Sequence, residues 1–393
     1  MDKKAAIYDP YLDTLGGGER YCLTVAEVLL KNGYQVDIFW SGKKDLIEKA
    51  EKRFSLNLKN LNIVPDIFGI QPQNLDLIEE NDHLSKFTRR VINQPQIKLR
   101  FNRFFSKFKN NRQYDLIFYI SDGSIPTLFG KKNYLHIQVP FVPQSQFISQ
   151  ITHQLKSKLL TRVICNSQFT SRFQEKALQN KVLVIYPPVD VDKFYSDTHK
   201  ENIILSVGRF DNILNAKKQD VLIDGLKKLI DQTPNLNWKL VLAGGSLTDP
   251  SKNSYLQYLQ KNAQGLPVEF IINPPFDILQ QIYSKAKIYW HAAGFDVDEN
   301  THPENTEHFG ITIVEAMASG LVPVVISQGG IPEIVDHGVN GFLWKTLDEL
   351  ISKTQKLIEE PDTLKRMSEQ SLINCQQFSK NNFEKKLMNI INQ

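Results

Sequence analysis

Two doubly wound parallel α/β domains are what this sequence of 393 residues predicts, and three observations carry that expectation. Short apolar runs alternate with helical patterns from end to end, as in parallel sheets built through right-handed crossovers. There are thirteen such runs, too many for one sheet of ordinary size. A turn-rich stretch, YPPVDVDKFYSDTHKEN at 186–202, breaks the pattern at Pro187 and Pro188 and divides the chain. Length agrees, since a chain of this size suits two domains of roughly 150–200 residues. The expected boundaries are 1–190 and 200–372, with a helical segment at 373–393 folding back toward the first domain. The two domains are expected to face each other across a cleft.

In the first half the strands are expected at 5–8, 36–40, 61–64, 116–120, 134–139, 163–166 and 182–186. In the second half they are expected at 203–207, 239–243, 268–272, 288–291, 322–326 and 341–344. Each reads as a nearly continuous apolar run, the mark of a strand buried on both faces. After the first strand, DTLGGGERYCLTVAEVLLKNG turns on three glycines into a helix. Before the strand at 322–326, Ile311, Val314 and Ala318 fall at helical spacing and Gly320 stops the helix.

Composition narrows the class. Hydrophobic residues make up 41% and charged residues 23%, with a net charge of +4, too little to announce nucleic acid. Cys22, Cys165 and Cys375 match no metal or redox spacing and suit a reducing compartment. No apolar run approaches ~18 residues, and the N-terminus enters a strand without the apolar stretch of a signal peptide. The chain is expected in the cytoplasm or on the cytoplasmic face of a membrane. Residues 84–112 hold nine Lys or Arg and no Asp or Glu. There Ile97, Phe101, Phe104, Phe105 and Phe108 share a helical stripe, while Lys98, Arg103, Lys107 and Lys109 point elsewhere. This segment either packs on the core alone or also presents its basic face to anionic lipid.

Charged residues then mark the chemistry. In PENTEHFGITIVEAMASG, Glu307 falls in the loop entering a helix and Glu315 more than a turn inside, one at a pocket's rim and one deeper. In ILSVGRFDNILNAKKQDVLI, Arg209 stands at a strand's C-terminal tip and Lys217 and Lys218 at the start of the next helix. Ligands of open parallel sheets bind at that edge, and two cations there suit a diphosphate. Glycines 16 to 18 let backbone amides approach an anion at a helix start. A dinucleotide site would need a further glycine where Arg20 and Tyr21 stand, and an acid at the second strand's tip, which Asp37 does not reach. His136 stands in a first-domain strand run, in YLHIQVPF. The pairs Asp190/Asp192 and Asp296/Asp298 read as turn capping and a solvated loop, so no metal is expected.

Together these stretches resemble the family 4 glycosyltransferases, retaining enzymes of the GT-B architecture. The likeness covers nearly the whole chain and includes SQGGIPEIVDHGVNGFLW, ICNSQFTSRF and VIYPPVDVDKF. GGGER, YLHIQVPF and YPPVDVDKF look most like the mannosyltransferases that extend lipid-linked glycans. The resemblance implies that Glu307 binds donor-sugar hydroxyls, and that the backbone amides of Phe309 and Gly310 support sugar and phosphate. Glu315 would bind the ribose, Arg209 and Lys218 the diphosphate, Gly17 and Gly18 the same diphosphate from the other domain. His136 would lie beside the donor sugar. The family usually has Lys-Gly where this chain has Lys217–Gln219, and of the two lysines Lys218 is favoured. The implied reaction moves a sugar from a nucleoside diphosphate sugar, by likeness GDP-mannose, to an acceptor hydroxyl on a lipid-linked glycan. The nucleotide sugar is then a substrate and no cofactor is expected. A nucleotide-sugar epimerase of the same architecture and a non-catalytic sugar-nucleotide-binding protein are the alternatives.

Overall fold

A computed structural model describes residues 3–43, 45–66, 108–142, 147–212, 216–233, 235–246 and 249–393. Strands stand where the apolar runs predict them. The first sheet holds β1 (Lys3–Tyr8), β2 (Tyr34–Phe39), β3 (Leu61–Val64), β4 (Leu116–Ile120), β5 (Lys132–Ile137), β6 (Arg162–Cys165) and β7 (Val182–Val184). Its order is β3-β2-β1-β4-β5-β6-β7. The second holds β8 (Ile203–Val207), β9 (Lys239–Gly244), β10 (Val268–Ile272), β11 (Ile288–His291), β12 (Val322–Ile326) and β13 (Phe342–Trp344). Its order is β10-β9-β8-β11-β12-β13. The pairings between β8 and its neighbours β9 and β11 are parallel, and both are buried strands.

That order fixes where chemistry belongs. Successive connections leave β8 toward β9 and return to β11 on its other side, so β8 and β11 form the switch point of the second sheet. Loops after Val207 and His291 therefore border the crevice where such sheets hold ligands. In the first sheet β1 and β4 hold the same place.

The chain divides into two compact units: 1–138 with 145–164 and 175–183, and 139–144 with 165–174 and 184–393. The change therefore falls just ahead of the expected turn at 186–202. Two strands also end sooner than their apolar runs. β5 stops at Ile137 ahead of Pro140, and β7 stops at Val184 ahead of Pro187. Segment 373–393, expected to fold back toward the first domain, is grouped with the second unit. There the Val189 amide donates to the Phe378 carbonyl and the Lys380 amide to that of Val189. Phe378, Phe383, Leu387 and Ile391 are buried.

The second unit's core is centred on Trp290 and Trp344, both fully buried, whose indole N–H groups donate to Thr354 Oγ1 and the Val324 carbonyl. Lys200 ties this unit together: its ammonium donates to the carbonyls of Ser284, Ala286 and Ser319. Burial pulls its pKa down to about 8. Of the basic segment 84–112, only 108–112 falls within the described residues. Phe108 meets Phe129 edge-on and lies beneath the Arg112 guanidinium. Among the described residues no helix is long and apolar enough to cross a membrane.

Candidate functional site

The site in the second unit begins at the tips of β8 and β9. Gly208 donates its amide to the Ala243 carbonyl, and a Cβ on Gly244 would stand 1.8 Å from the Gly208 carbonyl oxygen. Only glycine allows these two strand ends to approach so closely. Arg209 follows, its side chain half exposed, its Nε 3.4 Å from Asp211 Oδ2 and its carbonyl accepting from Gln219 Nε2. The stem of Lys217 lies on Gly208, where an added Cβ would meet its Cγ at 2.6 Å. Its ammonium reaches Glu307 Oε2 at 2.6 Å.

Lys218, the lysine favoured from sequence, goes elsewhere. It caps the helix Gln219–Gln232 with φ 54° and ψ 44°, left-handed backbone that favours glycine. It lines a cavity of about 350 Å³ with Asn212, Ala216, Asp220, Tyr255 and Tyr258. The backbone thus places Lys218 in the glycine's position of the Lys-Gly pattern and Lys217 in the lysine's.

Glu307 is 9% exposed and lies in the loop ahead of the helix Ile311–Ala318. His291, at the end of β11, places Nε2 3.1 Å from the same Oε2 that Lys217 holds. Burial alone would raise the pKa of Glu307; the Lys217 ammonium and the His291 hydrogen bond overcome it and hold the carboxyl well below the usual range. Its carbonyl accepts from the Gly330 amide at 2.8 Å. A Cβ on Gly329, whose φ is +63°, would stand 2.2 Å from that carbonyl oxygen. The two glycines of SQGGIPE therefore hold the Glu307 backbone by direct contact.

Gly310 begins the helix with φ +116°, and a Cβ there would press on Ile313 Cδ1 at 2.9 Å. The Phe309 ring is buried, stacked on Tyr186 and meeting Phe378 edge-on. Among the described residues the amides of Phe309 and Gly310 donate no hydrogen bond. Glu315 was expected deeper than Glu307, but the two are equally buried, at 8% and 9% exposure. Its Oε2 accepts from the Tyr283 hydroxyl at 3.3 Å. His308, beside Glu307, has its pKa pulled to about 4 by burial.

Asp190 pairs with Lys193, and Asp298 accepts from the Asn300 amide and the Thr301 hydroxyl.

In the first unit, Gly17 opens the helix Gly17–Lys31, and a Cβ on Gly18 would meet Gln138 Oε1 at 2.3 Å. Glu19 accepts from the Gly16 amide at 2.5 Å, holding the loop in shape. Asp9, at the other side of that loop, is buried, and burial followed by the charge of Glu19 pushes its pKa well up. His136 is completely buried, stacked on Tyr21 with 3.9 Å between ring centroids. Its Nδ1 donates to the Ile164 carbonyl at 3.0 Å, which leaves Nε2 the unprotonated nitrogen, without a partner. Burial lowers its pKa to about 3.

Sequence reasoning missed His291, Gly329 and Gly330 as site residues. The glycine pair carried a signal, since adjacent glycines mark close backbone approach. His291 carried none beyond its place at a strand end.

Comparison with known proteins follows this geometry. The family model "Glycosyl transferases group 1" matches residues 190–372, and "Glycosyltransferase Family 4" matches 15–193. The GDP-Man:Man(3)GlcNAc(2)-PP-Dol alpha-1,2-mannosyltransferase of Dictyostelium discoideum is 29% identical over 53% of this chain and 42% of its own length. The chain thus spans less than half the length of that relative. Among solved structures, a glycosyltransferase from Rickettsia africae aligns with TM-score 0.72 at 16% identity, over 99% of this chain and 98% of its own. The Anabaena HepE protein in complex with UDP aligns with TM-score 0.68 at 19% identity, over the full length of both chains. These likenesses support two Rossmann-like domains of the GT-B type.

Proposed function

The chain belongs to the family 4 glycosyltransferases, and from that premise we propose that it moves mannose from GDP-mannose to a hydroxyl of a lipid-linked glycan. One observation carries the reading of the site. Glu307 Oε2 is taken by Lys217 and His291, so its other oxygen, Oε1, is left for a donor-sugar hydroxyl. Arg209 and Lys217 supply the positive charge for the leaving diphosphate, placed before the reaction begins. The amides of Phe309 and Gly310 lie at the start of a helix, where negative charge is favoured. Glu315 takes the ribose hydroxyls. In the first unit, the roles of Gly17, Gly18 and His136 follow from the family resemblance.

Charge develops on the departing phosphate as the sugar gains oxocarbenium character. The acceptor hydroxyl attacks the same face and the departing phosphate takes its proton, so the anomeric configuration is kept. Mannose and the lipid-linked acceptor are supported by the name of the Dictyostelium relative, of which the chain spans less than half. In this reading the enzyme works in the cytoplasm or on the cytoplasmic face of a membrane.

The test is mass spectrometry of purified protein with GDP-, UDP- and ADP-sugars and a lipid-linked acceptor. A new glycan of one added hexose from GDP-mannose supports the reading. Epimerised donor, or binding without turnover, would replace it with one of the two alternatives.

A further inference from the structure

We infer that His291 is a positioning residue, which holds the Glu307 carboxylate in place when the Lys217 ammonium turns to the donor's diphosphate. This rests on the transfer reading above. The geometry begins with the tautomer of His291. The Ala293 amide donates to its Nδ1 at 3.1 Å, so Nδ1 is bare and the ring proton sits on Nε2. That N–H points to Glu307 Oε2 at 3.1 Å. The ring is 2% exposed, and burial keeps it neutral despite the adjacent carboxylate. His291 is thus a fixed neutral donor, supplied by a strand of the central sheet.

Lys217 is a different kind of partner. Its long side chain shares the same oxygen, and a bound diphosphate competes for its charge. Were Lys217 the sole holder, each donor would leave a buried carboxylate without a partner, which is costly. The remaining described groups do not supply a substitute. His308 Nε2 donates to the Glu304 carbonyl, and the Tyr289 hydroxyl is engaged with Thr312 and Val207. The Gly330 amide holds only the Glu307 backbone. Among the described residues His291 alone stays with the side chain throughout, which keeps Oε1 aimed at the sugar.

The experiment compares His291→Ala and His291→Gln in the full chain. Gln retains an N–H donor at nearly the same reach. The Ala variant should lose kcat by about 10–100-fold, as for groups that orient a site residue, with a smaller change in donor KM. Its acid limb of kcat/KM should move to higher pH, because Glu307 has lost a group that lowers its pKa. The Gln variant should keep the wild-type limb and most of kcat. A folded Ala variant with an unmoved limb overturns the inference, as does a Gln variant as impaired as Ala. Nitrogen-15 NMR of the wild-type imidazole is independent of turnover and of variant folding. A neutral ring with its proton on Nε2 supports the assignment, and a proton on Nδ1 overturns it. If the wild type transfers no sugar the functional reading fails, while the NMR result still decides the pairing of His291 with Glu307.

Discussion

Adjacent lysines at 217 and 218 differ in backbone sign, and that difference sends one to Glu307 and the other to a cavity shared with Tyr255 and Tyr258. Lys217→Ala should therefore lower turnover by about 10²–10³-fold, the loss expected for one preorganised electrostatic contact. Lys218→Ala should stay within about threefold, since a surface charge contributes about 0–1 kcal/mol. Steady-state kinetics on the two variants decides between them; a collapse confined to Lys218→Ala would restore the lysine favoured from sequence. Arg209→Ala should match Lys217→Ala, because both face the same leaving charge. With two cations in that role, transfer should also proceed in excess EDTA. Loss of activity restored by Mn²⁺ or Mg²⁺ would assign a part to an aspartate pair instead.

Strand ends, more than strand interiors, shape this site. The interiors were legible because burial on both faces leaves apolar runs such as AAIY and LVLA, and each became a strand at nearly the expected residues. Arg209 and Glu307 were legible for the complementary reason: charge beside such a run marks the sheet edge where ligands bind. What stayed hidden depends on backbone geometry or on pairing across the fold. His291 closes the run IYWH and looks like core until Glu307, 16 residues later, is brought to it. The 217/218 ambiguity needs a φ angle, which two identical side chains cannot reveal. Gly329 belongs to the same class, and its replacement tests the element. Gly329→Ala puts a methyl against the Glu307 carbonyl in left-handed backbone, a strain of about 1–3 kcal/mol. The melting temperature should fall, and donor affinity should fall further than the stability loss explains. An unchanged affinity in the folded variant would separate the glycine turn from the site.

Across the whole molecule, buried histidines set the response to acid. His136 and His308 have folded pKa values near 3 and 4, against about 6.5 when unfolded. Their contribution is complete above about pH 6.5 and is lost as pH falls toward those folded values, because the unfolded chain takes up protons that the fold refuses. The slope is about 1.4 kcal/mol per pH unit for each neutral histidine. Asp9 and Glu19 act in the other direction, since both are raised: their contribution is complete below the unfolded carboxylate values and lost as pH climbs through their raised folded ones. Urea midpoints measured from pH 7 to 5 isolate one histidine by comparison. His308→Gln should flatten the wild-type dependence by a single histidine's share, and an unchanged slope would show that His308 titrates normally. The same long-range view applies to Phe378. The family-model match ends at residue 372, yet the Phe309 ring beneath the site rests on Phe378, and Val189 exchanges backbone hydrogen bonds with Phe378 and Lys380. A border drawn by ancestry is therefore not a border of cooperativity. In exchanges of domains between related enzymes, the last twenty or so residues should travel with the donor half, because a graft ending at 372 would carry the second unit's ligand-facing groups and leave their support behind.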